Sequence, residues 1–184
     1  AVRNGLAGRS GSVGAAALSA SRAEINVSFR NAGDGSHTYL GDECVDQDIR
    51  TIEVSSYVSP VAVIPEVRDF VDRILRDYGK AGRVVMDGRD IGTTVFPDAD
   101  LKIFMVADVN VRAMRRLKEM KASGSDADFD TVLENLKTRD YIDSHRETSP
   151  LRQAGDAIVL DNTNMTLEDQ MVWLRDIIRQ KFGD

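Results

Sequence analysis

Three short apolar runs, the first preceded by an amphipathic stretch of helical period and the last two separated by such stretches, constrain this chain more than any other feature. They lie at residues 84–86, 101–106 and 157–160. Each is too short for a buried helix, and each reads as a strand buried on both faces, as in a parallel sheet. Between and around them apolar residues recur at three- and four-residue spacing. From Pro65, which suits a first helical turn, Val67, Phe70, Val71, Ile74, Leu75 and Tyr78 run on to Gly79. A second helix is expected from Asp108 to about Lys121. After a polar break at 124–128, a third runs from Phe129 to about Arg146. Thr166 with Asp169 three residues on predicts the cap of a last helix, whose inner face carries Met171, Leu174, Ile177 and Ile178. Strands alternating with helices predict an α/β fold.

The amino-terminal part reads differently. Residues 1–21 are rich in Gly, Ala and Ser without sustained periodicity. Alternation at 25–29, turn residues at 33–35 and strand formers at 37–40 predict a small hairpin. At 184 residues with 42% hydrophobic and 29% charged composition, the chain is expected to be one domain with a real core. A net charge of -6 argues against a surface for nucleic-acid polymers, whose affinity comes from many Lys and Arg displacing counterions. No apolar run approaches the roughly 20 residues needed to cross a bilayer, and no signal peptide is visible, so no membrane partner and a cytoplasmic location are expected. One cysteine, Cys44, excludes an internal disulfide. With only His37 and His145 beside it, the set is too sparse for a His/Cys zinc site, and no metal ligands are expected.

Candidate chemistry concentrates in two places. Asp87-Gly-Arg-Asp90 stands at the carboxyl end of a predicted strand, where open α/β sheets place their crevices. Arg89 and Asp90 can face a ligand there, or solvent as in an ordinary turn. Arg139, Asp143 and Arg146 follow at intervals of four and three, so a continuous helix presents two guanidiniums and a carboxylate on one face. That face suits a phosphate and a sugar hydroxyl, and equally an exposed ladder of ion pairs. Arg112, Arg115 and Arg116 cluster on another helix, with Glu119 placed to pair with Arg115. They are either a solvated basic face or a lid bringing charge over phosphates. Trp173 reads as a partly buried packing residue. The glycine-rich stretch 9–14 contains no Gly-Lys-Ser/Thr, and Gly79-Lys80 is followed by Ala81, so no P-loop is present in the sequence.

Together, Ile49-Arg-Thr51, Glu53-Val-Ser-Ser56, Val58-Ser-Pro60, residues 65–68, Met86-Asp-Gly-Arg-Asp-Ile-Gly-Thr-Thr-Val-Phe-Pro97 and Arg139-Asp-Tyr-Ile-Asp-Ser-His-Arg146 closely resemble the bacterial cytidylate kinases. The match runs from about residue 25 to the carboxyl terminus, and the two long strings in this order are jointly specific. The resemblance implies a P-loop NTPase-type three-layer parallel sheet with helices on both faces. To it would be added a small β-rich substrate-binding insert at about 25–64 and a helical lid at about 112–148. It implies transfer of the ATP γ-phosphoryl group to CMP or dCMP, with Mg2+, in pyrimidine nucleotide metabolism, by a monomer. Ser59, Arg68 and Asp90 match residues that read the cytosine edge, Arg139 and Asp143 those that engage the sugar, and Arg89 and Arg146 phosphate ligands. Arg89, Arg139 and Arg146 are thereby the expected catalytic set.

The family's strand, Gly-Lys-Ser/Thr loop and following segment have no counterpart before Ala1, although Arg3-Asn-Gly-Leu6 fits the helix after them. As written, the chain is expected to bind ATP poorly, to be inactive, and to represent a processed, truncated or incompletely ordered version of its gene product. A catalytically silent CMP-binding module and a same-fold kinase with another small substrate are the alternative readings.

Overall fold

The computed structural model describes residues 26–33 and 35–183. The expectations for the stretch at 1–21, including Arg3–Leu6, lie outside the described residues. A hairpin opens the described chain. β1 (Val27–Ala32) pairs antiparallel with β2 (Gly35–Leu40), from Val27 opposite Leu40 to Ala32 opposite Gly35, and β2 pairs with β3 (Glu43–Cys44). The predicted hairpin is therefore present, with a third short strand added.

Next comes α1 (Ile52–Ala62), which the sequence reading did not assign as a helix. Pro60 within it and its β-branched residues argue locally against helix, because proline lacks the N–H and crowds the preceding turn. A cap and tertiary packing override them: the Thr51 hydroxyl accepts from the Val54 N–H at 3.2 Å. The expected helices follow as α2 (Pro65–Gly79), α3 (Val109–Ala122), α4 (Phe129–His145) and α5 (Leu167–Phe182). Asp108, Asp128 and Thr166 cap the last three. Thr166 and Asp169 complete a reciprocal capping box.

Of the three predicted parallel strands, two form. β4 (Ile103–Val106) and β5 (Ile158–Asp161) pair in parallel, with Ile103 opposite Ile158 and Val106 opposite Asp161. Residues 84–86 do not form a strand: they have no ladder partner among the described residues, and Val85 is fully exposed. Apolar composition alone cannot make a strand, because extended backbone needs a neighbour to take up its N–H and C=O groups. The expected inner face of α5 is covered only in part: Trp173, Leu174 and Ile177 are half-buried, whereas Met171 and Ile178 are exposed. No described helix is long and apolar enough to cross a membrane.

The core that positions the site lies between α3 and α4. Ala113, Leu117 and Met120, at helical spacing on α3, bury against Val132 of α4, with Ile52 of α1, Phe129, Leu133 and Leu136 packed around them. Where α2 ends, Gly79 meets Phe96 so closely that a Cβ would stand 2.4 Å from the ring's Cε1 and 2.5 Å from Cζ. Gly79→Ala should therefore lower stability by about 1–3 kcal/mol through forced repacking. Urea unfolding would test this, and a midpoint equal to that of the unsubstituted chain would refute it.

Candidate functional site

The site grows from the loop after residues 84–86. Gly88 keeps an ordinary backbone here; what it provides is space, since a Cβ would lie 2.7 Å from Ile91 Cγ1. The chain then winds through a single π-helical turn at Ile91–Val95, a form that recurs at functional sites. The Asp90 carbonyl accepts from the N–H groups of Thr93, Thr94 and Val95, which fixes the backbone under the Asp90 side chain. From α2, Arg76 donates to the carbonyls of Thr94 (2.9 Å) and Val95 (3.4 Å). Arg68 and Asp72 precede Arg76 by eight and four residues on the same helix, so docking of Arg76 brings both toward the same turn.

The result is a continuous chain of buried charge. The Arg68 Nη2 donates to both Asp90 Oδ2 and, at 3.2 Å, Asp72 Oδ1. The other Asp90 oxygen lies 3.3 Å from Arg146 Nη2, and Arg146 Nη1 stands 3.6 Å from Asp143 Oδ1. Arg89 Nε donates to Asp143 Oδ2 at 3.2 Å. Arg68, Asp72, Asp90, Asp143 and Arg146 are all at most 9% exposed, while the Arg89 side chain is 42% exposed. Arg146 is not a continuation of α4 but its extended cap residue, so the face proposed from spacing bends at its last member. There Arg146 Nε donates to the Ser149 carbonyl at 2.7 Å.

Arg139 stands apart from this chain, donating to the Ser55 hydroxyl at 2.9 Å, which in turn donates to Asn135 at 3.1 Å. Burial pushes the Arg139 guanidinium below its usual range, with the neighbouring Arg89 charge adding to the effect. Burial and then the Arg68 charge do the same to Arg146. Burial likewise pushes the Asp72 carboxyl above the usual range, against the opposing pull of Arg68.

Several buried polar atoms in this region have no hydrogen-bond partner among the described residues: Ser59 Oγ, Arg68 Nε, Arg139 Nε and Arg146 Nη2. The Arg146 contact to Asp90 is an ion pair without hydrogen-bond alignment. Ser59 is fully buried. An unsatisfied buried donor costs about 1–3 kcal/mol, so a cluster of them on predicted ligand residues marks groups held ready for something else.

The basic cluster on α3 is put to other uses here. Arg112 pairs with Asp140 at 2.7 Å, and Arg116 donates to the Arg50 carbonyl at 2.8 Å. Arg115 reaches the Asn162 side chain and the carbonyls of Asn162, Thr163 and Met165 after β5. The expected Arg115–Glu119 pair is replaced by Arg116–Glu119 at 3.2 Å, because Arg115 is turned toward that loop. On the hairpin, His37, Cys44 and Asp46 each bring a possible ligand atom within 4.8 Å of the others. Asp46 is engaged there by His37 at 2.8 Å and by the Thr38 N–H at 2.9 Å. The two hydrogen bonds, the backbone one first, hold its carboxyl below the usual range. Sequence reasoning missed Asp72, Ser55 and Asn135. Only the four-residue step from Arg68 to Asp72 signalled the first, Ser55 stood in the Glu53-Val-Ser-Ser56 string without an assigned role, and nothing local signalled Asn135.

Comparison with known proteins covers most of the chain. The family model described as cytidylate kinase matches residues 10–180. The chain is 52% identical over 168 residues to a cytidylate kinase of Parabacteroides distasonis, covering 90% of this chain and 73% of that protein. It is 50% identical over 155 residues to a cytidylate kinase of Bacteroides thetaiotaomicron, covering 83% and 68%, and 50% identical over 163 residues to one of Porphyromonas gingivalis, covering 87% and 71%.

Proposed function

This chain belongs to the cytidylate kinase family, and from that premise we propose that its buried charge chain is the acceptor-nucleotide site for CMP or dCMP, with ATP as phosphoryl donor. One observation carries the assignment. Five of the seven residues matched to base, sugar and phosphate contacts form a connected chain of ion pairs, Arg68, Asp90, Arg146, Asp143 and Arg89, of which all but Arg89 are buried. Such a chain is costly unless its geometry serves a purpose, since each ion must be stripped of water.

The chemistry follows from the donor and acceptor types. Cytosine offers an exocyclic amine, met by the Asp90 carboxylate, and acceptors at N3 and O2, met by Arg68 and Ser59. Uracil places a carbonyl where the amine was, leaving Asp90 repelled, which at about 1–3 kcal/mol disfavours UMP. Arg139 and Asp143 take the sugar hydroxyls, and Arg89 and Arg146 the phosphate. An α-phosphate oxygen of CMP then attacks the ATP γ-phosphorus in line, the bond to the β-phosphate oxygen breaks, and ADP leaves. Arginine charge and positioning supply most of the rate, and little general base is required. Asp72, Asp90 and Asp143 are each engaged by guanidiniums and do not fit a magnesium site, so the ion is expected to arrive with the ATP phosphates.

The fold expected of the family completes the reading. It comprises a P-loop three-layer sheet, a substrate-binding insert at 25–64 built on β1 to β3 and α1, and a lid at 112–148 built on α3 and α4. Within that lid, Arg112, Arg115 and Arg116 are candidate phosphate contacts that would have to leave their present partners. The chain is taken to act as a cytoplasmic monomer.

Isothermal titration with CMP and UMP tests the assignment. CMP should bind at least tenfold more tightly, the factor corresponding to about 1.4 kcal/mol of discrimination. Equal affinities would overturn it, whereas CMP preference without phosphoryl transfer from ATP would favour a silent binding module.

A further inference from the structure

We propose that Asp72 is a positioning residue for acceptor-base recognition: it holds the Arg68 guanidinium in place while Asp90 turns from Arg68 to the incoming base. The inference rests on the acceptor-site reading above. Asp72 lies one helical turn beyond Arg68 on α2, with both side chains at most 10% exposed, and its Oδ1 accepts from Arg68 Nη2 at 3.2 Å. That same Nη2 also donates to Asp90. Two carboxylates therefore share one nitrogen, while Arg68 Nε has no acceptor.

Such sharing holds Arg68 from two sides. Removing one carboxylate from a buried ion pair normally costs stability, but Arg68 would keep Asp90 as a partner, which limits that cost. The groups that face Asp72 electrostatically are Arg68, Arg76 and Arg146 on one side and Asp90 and Asp69 on the other, so its charge also helps to balance the guanidiniums. Burial holds its carboxyl above the ordinary range. The sign follows: between the ordinary and the raised value the folded chain binds more protons than the unfolded one, so stability falls as pH rises through that window.

Its use becomes plain once a base is present. When Asp90 accepts from the exocyclic amine, Arg68 loses its bond to Asp90. Asp72 still anchors Nη2, which leaves the unpartnered Nε edge aimed at the ring acceptors. Without Asp72, the long side chain would have to be ordered at the moment of binding, and immobilising such a side chain is a recognised cost of association.

The test compares the unsubstituted chain with Asp72→Leu and Asp72→Asn by isothermal titration with CMP and UMP, and by thermal unfolding at pH 7. Asp72→Leu should weaken CMP binding about tenfold, the low end for losing a hydrogen bond to a charged group, and narrow the preference over UMP. The unfolding midpoint should fall, since one partner of a buried pair is removed, so affinities are compared at a temperature where both proteins are folded. Asp72→Asn keeps the acceptor oxygen but not the charge and should weaken CMP binding about threefold. CMP affinity within error of the unsubstituted chain in folded Asp72→Leu overturns the proposal. Should that variant fail to fold, unchanged affinity in Asp72→Asn overturns it instead. A loss of CMP preference already in the unsubstituted chain would sink the acceptor-site reading, so the two failures are distinguishable.

Discussion

Replacing Asp90 by Asn is expected to weaken CMP binding by roughly 10- to 100-fold and to remove most of the preference for CMP over UMP, the span of a lost charged hydrogen bond at about 1.5–3 kcal/mol. The substitution conserves volume, so no cavity confuses the result. What changes is charge and polarity at a side chain 5% exposed, which accepts from Arg68 and lies 3.3 Å from Arg146. A carboxylate can only accept, which matches the cytosine amine and rejects the uracil carbonyl. An amide can present oxygen to one and nitrogen to the other, so it tolerates both. Titration with the two nucleotides decides it: an unaltered CMP to UMP ratio in a folded Asp90→Asn protein would show that Asp90 does not read the base.

Asp90 illustrates how much of the site was legible beforehand. Its place after a glycine and an arginine in a long family string marked it as a candidate from sequence, and the π-helical turn shows how its carbonyl and carboxylate meet different partners. Helices α2, α3, α4 and α5 were legible because their apolar periodicity agrees with their caps. Helix α1 was hidden by Pro60 and its valines, whose local preferences point away from the structure that packing imposes. Residues 84–86 failed in the opposite direction, since strand-like composition cannot supply a neighbour. Ser55, Asn135 and the Arg115 contacts to 162–165 were illegible because each depends on partners far along the chain, which one-dimensional spacing does not encode.

The second large effect is one of stability. Asp143→Leu should cost about 3 kcal/mol, the lower end of the range for breaking a buried pair by removing one partner. Asp143 is 3% exposed and faces two cations of different standing. The Arg146 side chain is only 2% exposed, cannot regain water, and is left with Asp90 as its one remaining carboxylate. Arg89, at 42% exposed, can turn outward and loses little. Retention of the Asp90 contact is why the lower end applies. Urea denaturation with an unchanged slope measures it, and a loss below about 1 kcal/mol would mean that Arg146 is not held by Asp143.

The contacts that hold the site join residues far apart in the chain: Arg89 to Asp143 across 54 positions, Arg50 to Arg116 across 66, and Ser55 to Arg139 across 84. Ordering those spans requires loop closures whose entropy must be spent before any of these bonds is gained. In folding time, then, the site is a late product: the helices and the hairpin can form from local instructions, but affinity for a nucleotide emerges only when the whole described chain has closed. A nucleotide that grips these residues would equally act as a clasp on the folded state, shifting the balance toward it in proportion to its concentration.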